Sequence, residues 1–188
     1  AALLPYTPAG AVDWAAFDLV VIRSTWDYPA RREQFLEWAE SLSYVLNAPE
    51  VLRWNTDKRY LEGMGGTAVP TTFLDPGSTF RAPSSSFVVK PSVGAGSIGA
   101  ARYEGGDSRA EEHVAELHAA GKTVMVQPYV EAVDSEGELA VIFVGGRFSH
   151  AVRKEALLDV GSGPATGLYL EETMNAAKAS RRELEIAE

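Results

Sequence analysis

The sequence predicts an α/β segment that runs into α+β structure, and three observations carry that reading. Leu19 to Arg23 (LVVIR) is a β-branched run followed closely by an amphipathic stretch, the order expected of a buried strand and its covering helix. Gly145-Gly146 sits between two apolar runs and marks an antiparallel hairpin. Phe87 to Lys90 (FVVK) is a further strand, and it empties into a loop rich in glycine and serine.

Composition narrows the function classes. With 188 residues, 46% hydrophobic and 23% charged, the chain is ordinary globular material, long enough for one large or two small domains. A formal charge of −9 gives no bulk attraction to a phosphate backbone and disfavours a nucleic-acid partner, so an anion site has to be a local basic cluster. Absence of cysteine excludes disulfides and thiol catalysis and fits a cytoplasmic location. No apolar run approaches the roughly 20 residues of a membrane span, the N-terminus lacks the basic start of a signal peptide, and the three histidines are scattered.

In chain order, Leu19 to Arg23 reads as a buried, parallel strand. The polar and aromatic run Arg23-Ser24-Thr25-Trp26-Asp27-Tyr28-Pro29 follows at its carboxyl end, where open α/β sheets bind ligands. Packing offers a second account: Trp26 and Tyr28 cap the core and Arg23 pairs with Asp27. Ala30 to Ser41 is a helix with Phe35, Leu36, Trp38 and Ala39 on one face. Tyr44 to Asn47 is a short strand, and Asn55 is placed to cap a helix through Lys58, Tyr60 and Leu61 that ends at Gly63 and Gly65. Val69 to Leu74 is extended, and the Pro/Ser-rich stretch Asp75 to Ser86 is the candidate domain boundary. Ser108 and Glu111 form a capping box for a helix that ends at Gly121. Thr123 to Val130 is a strand broken by Pro128, Asp134 to Glu138 is an acidic turn, and Val160 to Thr166 is a mobile loop. Ser180 and Glu183 repeat the capping box, so the terminal ELEIAE reads as a helix rather than a strand of metal-binding carboxylates.

The glycine loop holds the chemistry. Gly94, Gly96 and Gly99, with Ser92 and Ser97, allow a backbone whose N–H groups point inward at an anion, and Lys90 adds a point charge at the strand's end. By itself this pattern equally fits a turn with a solvated lysine, since it matches neither common glycine-rich phosphate fingerprint.

Four ordered segments make the pattern more specific: WNTDKRYL at Trp54 to Leu61, FVVKPSVGAGSIGA at Phe87 to Ala100, VMVQPYVEAVDSEGELAVIFV at Val124 to Val144, and FSHAVRK at Phe148 to Lys154. Together they resemble the ATP-grasp superfamily of carboxylate ligases. RSTWDYP and QPYV resemble most its glutathione-synthetase-like branch, which includes the O-ureidoserine cyclo-ligase of cycloserine biosynthesis. The resemblance implies a preATP-grasp α/β substrate domain over residues 1–53, a small α+β subdomain with a glycine-rich lid over 54–126, and the start of a large α+β subdomain over 127–188, together clamping ATP. It also implies a chain incomplete at both ends, with the magnesium ligands unassigned and falling beyond residue 188.

By the same resemblance, Lys58 and Lys90 neutralise the α and β phosphates beneath a flap formed by Ser92 to Ala100, including Gly94, Gly96, Ser97 and Gly99. The hinge Gln127 to Val130, with Tyr129, reads the adenine edge with its backbone N–H and C=O groups while apolar side chains stack on the ring, and Glu138 accepts from the ribose hydroxyls. Lys154, with Arg153, faces the γ-phosphate and the substrate carboxylate. Arg23, Trp26, Asp27 and Tyr28 are assigned to the substrate. The implied activity is an ATP- and magnesium-dependent ligase that joins a small-molecule carboxylate to an amine through an acyl phosphate, with a homodimer left open. A nucleotide-binding module without turnover is the alternative.

Overall fold

The structure, a computed structural model, describes residues 12–164 and 173–188. The chain's first eleven residues, and Ala165 and Thr166 of the expected loop, lie outside the described residues.

The first unit is a small parallel sheet with helices. β1 (Val20–Val21) pairs with β2 (Val45–Leu46) in the register Val20 to Val45 and Val21 to Leu46. Between them runs α1 (Arg32–Glu40), and α2 (Pro49–Asn55) follows, started by a proline whose missing N–H costs nothing in a first turn. Phe35, Leu36 and Ala39 of α1 pack with Ile22 and Leu52 into one core. LVVIR is therefore parallel as expected, but it is not buried on both faces. Ile22 is 4% exposed while Val21 is 56% exposed, because side chains alternate and the described helices pack on one face.

The helix after Trp54 also differs from expectation. Asn55 is the last residue of α2 and caps nothing downstream; Asp57 instead accepts from the Arg59 N–H at 3.2 Å and opens a 3₁₀ helix over Lys58–Gly63. The proline start at Pro49 brings a helix forward over the position that would have been a cap.

The second unit is an antiparallel sheet in the order β3 (Thr72–Leu74), β6 (Val124–Pro128), β4 (Phe87–Pro91), β5 (Ala101–Tyr103), covered by α3 (Arg109–Ala119). Phe87 and Val89 of β4 and Val124 and Val126 of β6 join Val114 and Leu117 of α3 in the core. Their alternate neighbours Val88, Lys90 and Gln127 face away from α3, and this two-residue period delivers a lysine and an amide to a common site. The stretch Asp75 to Ser86 joins two strands of this one sheet, so it is a crossing loop rather than a domain boundary. The capping box at α3 does not form. Ser108 has helical angles (φ −66°, ψ −19°) that turn its hydroxyl off the helix start, and Asp107 accepts from the Arg109 N–H at 3.0 Å in its place.

The third unit is β7 (Glu138–Val144), β8 (Arg147–Lys154) and β9 (Met174–Ala177), antiparallel throughout. Gly145 and Gly146 have φ of 59° and 73°, the pair of left-handed positions that a two-residue hairpin demands. Asp134 to Glu138, expected as a turn, lies mostly in a short helix, α4 (Ala132–Glu136), that stops at Gly137. Gly137 has φ 68°, and a Cβ there would lie 2.3 Å from the Lys154 carbonyl oxygen. α5 (Arg181–Ala187) has its full capping box: the Ser180 N–H donates to Glu183 and the Glu183 N–H to the Ser180 hydroxyl.

Candidate active site

A cavity of about 360 Å³ lies between the second and third units. β4 contributes Val88 and Lys90, and β6 contributes Gln127. The chain leaving β6 adds Pro128, Tyr129 and Val130, while Glu138 and Lys154 enter as directly paired residues across β7 and β8. Gly94, Gly96 and Ser97 of the glycine loop form another wall, and Lys58 reaches in from its 3₁₀ helix.

Positive charge is concentrated here against its own interest. Burial, and next the charge of Lys90, push the Lys58 ammonium down to about 8, with Asp57 opposing. Burial likewise holds Lys90 below the ordinary lysine range, opposed by Glu138. Two largely buried ammonium groups, one of them further disfavoured by the charge of the other, are stabilised by an anion placed between them. Lys58 Nζ donates to the Gly94 carbonyl at 2.7 Å, its backbone N–H donates to the Ser92 carbonyl at 3.0 Å, and the Tyr28 hydroxyl donates to Gly94 at 3.2 Å. Gly94 also turns closely over Pro91, where a Cβ would meet the proline ring at 3.3 Å.

The linker after β6 offers a polar edge. The Tyr129 N–H is taken by the Ser86 carbonyl at 2.9 Å, whereas the Val130 N–H has no hydrogen-bond partner among the described residues. Tyr129 is fixed from outside the cavity: the Arg102 guanidinium lies 3.5 Å from its ring centre and grips Asp134 at 3.0 and 3.1 Å, and the Tyr129 hydroxyl donates to the same carboxylate. That hydroxyl, and then Arg102, hold the Asp134 carboxyl below its usual range.

A second cavity of about 580 Å³ opens at the carboxyl ends of β1 and β2, lined by Arg23, Trp26, Tyr28, Asn47 and Asn55 among others. It shares Trp26, Lys58, Gly94 and Ala95 with the first. Arg23 is exposed and has no ion-pair partner among the described residues.

Lys58, Lys90, Gly94, Gly96, Ser97, Gln127, Tyr129, Val130, Glu138 and Lys154 thus meet in the first cavity, and Arg23, Trp26 and Tyr28 in the second. Four candidates stand apart from both. Asp27 is ion-paired with Arg31, Ser92 is buried beneath the loop at 2% exposure, and Gly99 backs onto Leu117. Arg153 donates to the Glu136 carbonyl at 2.7 Å on a separate, open groove. Sequence reading missed Val69 and the run from Glu155 to Leu158, which also line the first cavity. The run lacks any regular period; only the acidic Glu155 beside Lys154 could have flagged it. Among the described residues no group of three or more His, Asp or Glu comes together to hold a metal.

The chain has clear relatives. The family profile described as D-cycloserine synthetase DcsG, N-terminal domain, matches residues 8–47. The cycloserine biosynthesis protein DcsG of Streptomyces lavendulae is 39% identical over 166 residues, which is 79% of this chain and 56% of that protein. The crystal structure of D-cycloserine synthetase DcsG superposes with a TM-score of 0.81 at 32% identity, covering 95% of this chain and 65% of that one. The chain therefore spans little more than half the length of the curated relative it matches. It is a homologue of the D-cycloserine synthetase DcsG and has the ATP-grasp fold.

Proposed function

We propose that the chain is the nucleotide- and substrate-binding part of an ATP-dependent ligase that activates a small carboxylate as an acyl phosphate. One observation carries the reading: a lysine-lined cavity and an arginine-bearing cavity share a wall made by Lys58 and the Gly94-Ala95 turn. A triphosphate extending from the Gln127–Val130 edge past Lys90 and Lys58 ends at that wall, and a carboxylate held by Arg23 approaches it from the other side. The division into segments 1–53, 54–126 and 127–188 belongs to the same reading.

In the first step a carboxylate oxygen attacks the γ-phosphorus and the bond to the β-phosphate oxygen breaks, leaving ADP. In the second an amine nitrogen attacks the acyl carbon, phosphate leaves and the nitrogen gives up a proton. The chain's contribution is positioning and charge neutralisation by Lys58, Lys90 and Lys154, which suits phosphoryl transfer. Magnesium, when bound, would add charge neutralisation on the triphosphate. The relative's name points to a cyclic product, so the amine and the acid would sit on one amino-acid-derived molecule.

The test is carboxylate-dependent release of phosphate from ATP by the full-length protein, screened across amino-acid-derived acids. Turnover with at least one acid supports the ligase. ATP binding with no turnover on any acid would leave a nucleotide-binding module.

A further inference from the structure

We infer that Thr71, a residue outside the family motifs, selects adenine over guanine by fixing which end of the Gln127 amide faces the cavity; the inference rests on the nucleotide reading above. Gln127 stands on the cavity face of β6 and is only 8% exposed. Its Nε2 donates to the Thr71 hydroxyl oxygen at 2.7 Å. Thr71 has one proton of its own, and that proton is donated to the Val69 carbonyl at 2.8 Å.

The direction of this short relay is dictated by chemistry. A hydroxyl that has spent its proton on a carbonyl can only accept from its next neighbour, so the amide group beside it has to be the NH₂ end. The carbonyl end of Gln127 is thereby turned away from Thr71. Oε1 has no hydrogen-bond partner among the described residues and is not sealed from the cavity. The result is a nearly buried acceptor held in one orientation, a few residues from the Val130 N–H donor.

Adenine offers an exocyclic amino donor and a ring-nitrogen acceptor on adjacent atoms of one edge. This pair suits an acceptor from Gln127 and a donor from Val130. Guanine carries an oxo group and a ring N–H there, which sets acceptor against acceptor and donor against donor. A site built to make hydrogen bonds rejects the mismatched analogue because its own buried groups are left unpaired. Without the Thr71 hydroxyl the amide is free to turn over and present NH₂ to the guanine oxo group.

The experiment is calorimetric titration of the full-length protein with ATP and with GTP. Wild type is expected to prefer ATP by roughly 100-fold, from two mismatched hydrogen bonds at about tenfold each. Thr71→Val, which keeps the shape and removes the hydroxyl, should bring the preference to within about tenfold, and Thr71→Ser should restore it. Gln127→Leu, which removes the amide, should also collapse the preference and serves if the valine variant fails to fold. A Thr71→Val protein that keeps the wild-type ratio overturns the inference and leaves the nucleotide reading standing. A wild type that binds neither nucleotide overturns both.

Discussion

Raising the pH tests the Lys58 assignment with no mutation. Burial and the neighbouring Lys90 charge bring this lysine from 10.5 down to about 8, so it titrates where the protein can be handled. At that value it is roughly 90% charged at pH 7 and roughly 10% charged at pH 9. If the triphosphate binds the charged form, ATP affinity falls about tenfold between those pH values, or about 1.4 kcal/mol. The sign follows from linkage: the anion favours the ammonium, so binding near pH 8–9 draws a proton from the buffer. Folding responds in the opposite sense. The depressed lysine costs stability wherever it is charged both folded and unfolded, below about pH 8, and that cost is relieved as the pH rises toward 10.5. Calorimetry at several pH values, repeated in two buffers of different ionisation enthalpy, reads the affinity and the proton uptake together. Lys58→Met should bind ATP weakly with a flatter profile. An affinity constant from pH 7 to 9 in wild type, or an unchanged slope in Lys58→Met, would refute the reasoning.

Three other perturbations separate binding, substrate contact and fold. Lys90→Ala should weaken ATP binding by roughly 10- to 100-fold, the loss of a charge-assisted contact in a partly dehydrated cleft, read by the same calorimetry. Arg23→Ala should raise the KM for the carboxylate at least about tenfold while leaving the ATP dissociation constant within about twofold; parallel loss of both would place Arg23 in the fold instead. Gly137→Ala should destabilise by about 2–3 kcal/mol, because its φ of 68° disfavours a side chain and the new Cβ meets the Lys154 carbonyl at 2.3 Å. That corresponds to a Tm lower by roughly 5–10 °C, measured by thermal melting.

What the sequence made legible follows the range over which each signal acts. The hairpin at Gly145-Gly146 and the capping box at Ser180 are set by a handful of adjacent residues, and both stand in the structure. The box at Ser108 reads the same way in sequence, yet Ser108 takes helical angles and makes no side-chain cap, while the adjacent Asp107 carboxylate accepts from the Arg109 N–H. α2 was hidden because its proline start looks like a break, and β9, with the sequence MNAA, has neither β-branched residues nor alternation. At the site, Lys90 stood out at the end of a strand that runs into the glycine loop, and Gln127 entered only through the family resemblance; the structure sets both opposite the core residues of their own strands. Asp27 looked like a substrate group beside Arg23, but the following helical turn brings Arg31 to it first. Thr71 could not be singled out, since its role depends on Gln127, 56 residues away in the chain.

A crystal structure of the full-length protein with a non-hydrolysable ATP analogue tests the central claim most directly. The account predicts the adenine edge against Gln127 and Val130, the phosphates on Lys90 and Lys58 with the Lys58 to Gly94 bond replaced, and the terminal phosphate at the wall shared with the Arg23 cavity. An analogue bound elsewhere, or bound with its phosphates directed away from Lys58 and Lys90, would contradict it.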